Sequence, residues 1–130
     1  MDTRGNISVA DYENNRVVVF DGEGRFVRAF GNKEKENGQF SRPVGLCVDL
    51  HDNTIVTDFA NDRVQVFDSA GEFRFAFGVT GEKMDYPYGV CVDTRGNIIV
   101  ADNGNNRLSV WSGTGQFIKH IISQVSSGPN

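Results

Sequence analysis

Residues 42–78 read "RPVGLCVDLHDNTIVTDFANDRVQVFDSAGEFRFAFG", and this stretch decides the fold. Short runs rich in Val, Ile, Thr and Phe alternate with breaks containing Asn, Asp or Gly. Such residues suit a pleated strand, and the runs are too short to be helices. Four strands follow: a at 44–49, b at 54–58, c at 63–68 and d at 72–77. Asp52-Asn53 marks the turn between a and b, and Gly71 the turn between c and d.

The same pattern lies on both sides of this stretch. Asp2, Asp49 and Asp93 align at offsets of 47 and 44 residues. Asp11, Asp58 and Asp102 then coincide, as do Arg16, Arg63 and Arg107. Further on, Phe20, Phe67 and Trp111 share a position, and Phe30, Phe77 and Ile121 share another. The hexamer "DTRGNI" occurs twice, at 2–7 and 93–98, as the a–b turn of two units. The flanking strands are b, c and d at 7–11, 16–21 and 25–30, and a to d at 88–93, 98–102, 107–112 and 116–121. The chain thus divides into a first unit at 1–31 with strands b to d only, a second at 40–78 and a third at 85–122. Residues 123–130 form a tail or the start of another unit. All length variation falls between Gly31 and Asp49 and between Gly78 and Asp93, where a surface loop absorbs it.

Strand c decides how the units pack. Val17 and Val19 share one face, and Val18 and Phe20 the other. A sheet apolar on both faces must be covered on both, as in stacked propeller blades. The expected fold class is all-β: a partial β-propeller of about three four-stranded antiparallel blades, the first lacking its innermost strand. A closed ring of about four to eight such blades needs roughly 16 strands or more. The eleven read here lead us to expect a fragment of a ring, completed by further blades or by a second copy.

Composition narrows the function. The net charge is −4 and the pI about 5.1, which weighs against nucleic acid as the default partner but leaves room for a local basic patch. No segment approaches the length of a membrane span. The first ten residues lack the basic and apolar regions of a signal peptide, so a cytoplasmic setting is expected. The sequon Asn6-Ile7-Ser8 lies where a turn enters strand b and is discounted on the same ground.

The three units, on the pattern "RPVGLCVD…IVTDFANDRVQVFDSAGEFRFAFG", resemble the NHL repeat over essentially the whole chain. The resemblance implies a propeller, usually six-bladed in that family, with its blades around a central channel. Intracellular members are often the C-terminal domains of tripartite-motif ubiquitin ligases and bind protein or RNA there. Other relatives are secreted lyases and lactonase-like propellers, the lyases using histidines around a channel metal. The function expected is an interaction module for a larger intracellular ligase-type protein, with a fragment of a propeller enzyme as the alternative. Ligase activity would lie in domains outside these residues.

Little in the chain points to chemistry of its own. His51 and His120 are the only histidines, and neither has metal-ligand companions at the required spacing. No catalytic residue, metal or cofactor is expected. The recurring pairs Asp11–Arg16, Asp58–Arg63 and Asp102–Arg107 read as structural ties of the b–c loop, and Asn14, Asn61 and Asn105 as turn formers. Cys47 and Cys91 share a strand-a position in neighbouring units. The roughly 10 Å spacing of stacked sheets is too wide for a disulfide, so both are expected as buried thiols.

Binding has more support. Antiparallel strands bring the b–c and d–a loops to one face. That face carries Tyr12, Glu13, Phe59 and Asn103 from the b–c loops, and Lys33, Lys35, Arg42, Lys83 and Tyr86 from the d–a loops. The first b–c position differs between units (Tyr12, Phe59, Asn103), so the repeat does not dictate it. Two readings stay open: these aromatics receive a partner, or they pack over their own loops. A protein partner is expected. Single-stranded RNA is kept beside it, because aromatics near basic groups stack bases. Yet Glu13, Glu34, Glu36, Glu82 and Asp85 make the face mixed in charge.

Overall fold

A computed structural model describes residues 1–34 and 36–122. It contains eleven strands among the described residues: β1 (Ile7–Asp11), β2 (Arg16–Phe20), β3 (Phe26–Phe30), β4 (Pro43–Val48), β5 (Thr54–Asp58), β6 (Arg63–Phe67), β7 (Phe73–Phe77), β8 (Pro87–Val92), β9 (Ile98–Asp102), β10 (Arg107–Trp111) and β11 (Phe117–Ile122). They form three antiparallel sheets in chain order: β1-β2-β3, β4-β5-β6-β7 and β8-β9-β10-β11. The sheets approach along their inner strands, β4 lying against β8 and β1 against β4. The tail at 123–130 lies outside the described residues.

Strands a and c end one residue earlier than the sequence pattern suggests, and the cause is local. Asp21, Asp49, Asp68 and Asp93 leave the strand to begin the turn. In each, Oδ1 accepts two backbone N–H groups, as Asp93 does from Arg95 at 2.8 Å and Asn97 at 2.9 Å. Ser112 does the same with its hydroxyl at the end of β10. The second "DTRGNI" is therefore a side-chain-closed turn, and Asp2 closes the first copy alike. A bulge recurs at one place in every sheet, between Val19 and Phe20, Val66 and Phe67, and Val110 and Trp111. It adds twist next to the c–d turn.

These turns make the fold acid-sensitive. The N–H of Arg25 holds Asp21 below the usual carboxylate range, as that of Glu72 does for Asp68 and that of Asn97 for Asp93. Asp52 is lowered by the Thr3 hydroxyl and Asp11 by Arg16. A carboxylate lowered on folding contributes stability above its unfolded pKa, and that contribution is lost as pH falls through the folded value. Asp58 acts in the opposite sense, because burial raises it. Five lowered groups against one raised group set the net direction. The melting temperature should fall progressively below about pH 4, and a pH series of thermal melts checks this.

Two apolar cores lie between the sheets. Val17, Phe40, Val56 and Phe67 fill the space between the first and second. Ile55, Val64, Val66, Phe77, Met84, Ile98, Val100 and Trp111 fill that between the second and third. The middle sheet is covered on both faces, so every residue of β5 and β6 is buried. Polar members of those strands tie sheets together. Thr57 Oγ1 accepts from the Gly45 N–H at 2.7 Å and donates to the Tyr88 carbonyl at 2.7 Å. A Cβ on Gly45 would overlap that carbonyl oxygen, so β4 and β8 come this close only because residue 45 is glycine.

Cys47 and Cys91 are both free, and they differ in exposure. Cys47 packs against the second core, and burial pushes its thiol up to about 12, with Cys91 and Asp49 adding in the same direction. Cys91 is exposed, contrary to the expectation of two buried thiols. The third sheet covers the Cys47 position, and no described element covers the equivalent position on the third sheet itself. A thiol reagent at about pH 8 should modify Cys91 and spare Cys47 in the folded chain, as read by peptide mass.

Candidate functional site

Each b–c loop is one turn of 3-10 helix: Tyr12–Asn14, Phe59–Asn61 and Asn103–Asn105. The repeated Asp and Arg hold it. Arg16 Nε donates to Asp11 at 2.8 Å, Arg63 Nε to Asp58 at 2.8 Å and Arg107 Nε to Asp102 at 3.0 Å. Asn14, Asn61 and Asn105 donate Nδ2 to the same carboxylates. The left-handed turn position falls one residue later, at Asn15, Asp62 and Asn106, with φ of 53°, 55° and 52°. Asn14, Asn61 and Asn105 thus act through the side chain, and their successors make the bend.

The d–a loop of one unit docks onto the b–c loop of the next. Asp58 accepts the Ser41 N–H and Asp102 the Asp85 N–H, both at 2.7 Å. Arg63 Nη2 donates to the carbonyls of Glu36 and Gln39, and Arg107 Nη2 to that of Lys83. The backbone N–H of Phe59 reaches the Arg42 carbonyl, and that of Gly104 the Asp85 carbonyl. The two loop families therefore share one face.

A second tie on this face was not visible in the pattern. Arg42 N–H donates to Asn15 Oδ1 at 2.8 Å, and Tyr86 N–H to Asp62 Oδ1 at 2.8 Å. Arg42 and Tyr86 have φ of +62° and +55°, although each precedes a proline. Non-glycine residues rarely adopt this region, and the neighbouring side chain holds them there. Both side chains end up over aromatic rings. The Arg42 guanidinium lies 5.8 Å from the centre of the exposed Tyr12 ring. Tyr86 stacks on Phe59 at 5.0 Å and 21°, and Tyr88 meets Phe59 edge-on at 6.2 Å.

The candidate residues thus fall into three groups. Tyr12, Glu13, Lys33 and Arg42, with Asn15 and Ser41, line an open cavity of about 460 Å³. Phe59 and Tyr86 join Tyr88 in an aromatic ledge; Phe59 is half-buried beneath exposed Tyr86 and Tyr88. Asn103 and Lys83 lie at the third unit, Asn103 lining a separate cavity of about 240 Å³ with Arg107 and Leu108. Lys35 lies outside the described residues. Tyr88 was missed because it reads as a strand-a residue. Its disagreement with Val44, the equivalent residue of the second unit, was the signal available. Among the described residues no group of three or more His, Cys, Asp or Glu could hold a metal ion. No helix there is long and apolar enough to cross a membrane.

Three antiparallel sheets of three, four and four strands, stacked face to face along their inner strands, define an arc of a β-propeller. Residues 84–111 match the NHL repeat family model. Comparison with curated proteins finds no match. Among solved structures, a streptogramin B lyase superposes with a TM-score of 0.77 at 17% identity, covering 97% of this chain and 40% of that one. Virginiamycin B lyase from Staphylococcus aureus gives 0.77 at 15% identity, over 99% of this chain and 42% of that one. Kuenenia stuttgartiensis hydrazine synthase gives 0.78 at 15%, over 95% of this chain and 34% of that one. The likeness at such identities is one of fold. The chain spans about two-fifths of the lyase structures.

Proposed function

We infer that the loop face is an interaction platform for a protein partner, serving a larger cytoplasmic protein of the tripartite-motif ligase kind. The observation that carries this reading is the strained pair Arg42 and Tyr86. Each is held at positive φ by a neighbouring unit and presents its side chain over an aromatic ring. Aromatic and Arg side chains at a shaped surface are the usual anchors of protein recognition. Glu13 beside Lys33 and Arg42 keeps the cavity mixed in charge, which favours a protein over a polyphosphate. The reading of this chain as non-catalytic rests on the repeated Asp and Arg residues, whose side chains are engaged in the ties Asp11–Arg16, Asp58–Arg63 and Asp102–Arg107.

The test uses peptides selected from a displayed library on the full chain, with oligouridine as the RNA probe. Tyr12→Ala and Arg42→Ala should each weaken the selected peptides at least about tenfold, with circular dichroism unchanged. Oligouridine should not bind at about 0.15 M salt. Tight oligouridine binding that falls with salt and is lost in Tyr12→Ala would instead assign the face to RNA.

A further inference from the structure

The loop face carries one arrangement twice. Between the first and second units it is built from Tyr12, Asn15, Ser41 and Arg42. Between the second and third it is built from Phe59, Asp62, Asp85 and Tyr86, which hold the same repeat positions. The backbone is alike in both. Arg42 and Tyr86 have positive φ and give their N–H groups to Asn15 and Asp62. Their side chains lie over the rings of Tyr12 and Phe59.

Charge separates the two copies. In the first, Arg42 and Lys33 line the cavity against a single carboxylate, Glu13. In the second, Asp62 stands where the first has Asn15, Asp85 where it has Ser41, and Tyr86 where it has Arg42. One copy is therefore positive in balance and the other negative. Lys33, Arg42 and Asp85 are exposed, and Asp62 is half-buried. Among the described residues none of these four forms an ion pair. The fold uses the Asp and Arg of every b–c loop as ties but draws no such tie from these charges. Single exposed charges are ordinary. Opposite signs at two adjacent, equivalent sites, each beside an aromatic ring, give the face a polarity that a partner can read.

We propose that the partner segment carries an acidic residue and an arginine about three residues apart, the carboxylate seated at Arg42 and Lys33 and the guanidinium on Tyr86 beside Asp62 and Asp85. The proposal rests on the loop face being the interaction platform inferred above. One carboxylate matches the surplus of one positive charge at the first site, and the Arg42 fork suits its planar geometry. At the second site an arginine gains from the tyrosine face and from the two carboxylates together. The spacing follows from the sheets. Stacked sheets lie about 10 Å apart and an extended chain advances about 3.3 Å per residue, so neighbouring sites are roughly three residues apart.

The test uses the peptides selected from a displayed library on the full chain, with affinities read by fluorescence anisotropy. They should carry Asp or Glu and Arg two to four positions apart, and alanine at either residue should weaken binding at least about tenfold. Arg42→Glu and Asp85→Lys change exposed side chains, so both variants should keep their β circular dichroism. Each should weaken the parent peptide at least about tenfold. A peptide with its acidic residue changed to arginine should bind Arg42→Glu more tightly than it binds the wild-type chain, a recovery that a misfolded variant could not give. Peptides that need Tyr12 and Arg42 but lack the charged pair, or that show no recovery on charge reversal, would overturn the proposal and leave the platform standing. Peptides indifferent to both Tyr12→Ala and Arg42→Ala would overturn both.

Discussion

Replacing Asp58 with Ala should destabilise the chain by about 3–5 kcal/mol, the usual cost of removing one partner from a buried ion pair. Asp58 is completely buried and Arg63 is 7% exposed, so the guanidinium would lose its counter-charge out of reach of water. The Ser41 N–H would lose its acceptor, and Asn61 Nδ2 and Gln65 Nε2 would each lose one of two, keeping the Glu34 and Gln39 carbonyls. The first two lie in or beside the loop face, so that face should loosen along with the sheet. Burial raises the Asp58 carboxyl in spite of these donors. A typical domain is stable by only about 5–15 kcal/mol, so the loss should be plain in a urea titration. Asp11→Ala removes the equivalent carboxylate of the first unit, where the pair is solvent-exposed, and should have a far smaller effect. Equal losses in the two variants would contradict the burial argument.

Phe67→Ala should cost a similar amount, about 3–5 kcal/mol, through the cavity it leaves. The Phe67 ring is 2% exposed and lies 4.8 Å from that of Phe30, 5.5 Å from Phe40 and 6.0 Å from Phe73. It therefore joins the first sheet, the first d–a loop and the second sheet in one contact. Phe20→Ala tests the same repeat position on the open face and should lose much less. The comparison is read from denaturation midpoints at constant slope.

Much of this architecture was legible because the repeat supplies three readings of one pattern. The Asp11, Asp58 and Asp102 positions fixed the register of every strand b, and those strands begin and end where the pattern places them. The apolar character of both faces of strand c announced the stacking. What stayed hidden depends on neighbouring units rather than on local pattern. Nothing in "RP" or "YP" indicates that Arg42 and Tyr86 adopt positive φ, because the cause is a side chain 27 residues away in one case and 24 in the other. Cys47 and Cys91 are equivalent letters in equivalent strands. They differ because the third sheet covers that side of the second, whereas none of the described residues covers the same side of the third. The candidate face was found as a set of loops, but its division into a Tyr12–Arg42 cavity and a Phe59–Tyr86–Tyr88 ledge required the geometry.

Amide hydrogen exchange with and without a library-selected peptide tests the central claim, that the shared loop face is where a partner docks. Protection is expected at 12–15, 59–62 and 79–86, with the opposite turns at 49–53 and 93–97 unchanged. Protection confined to those opposite turns, or to the inner strands β4 and β8 as for a ligand held in the channel, would contradict it.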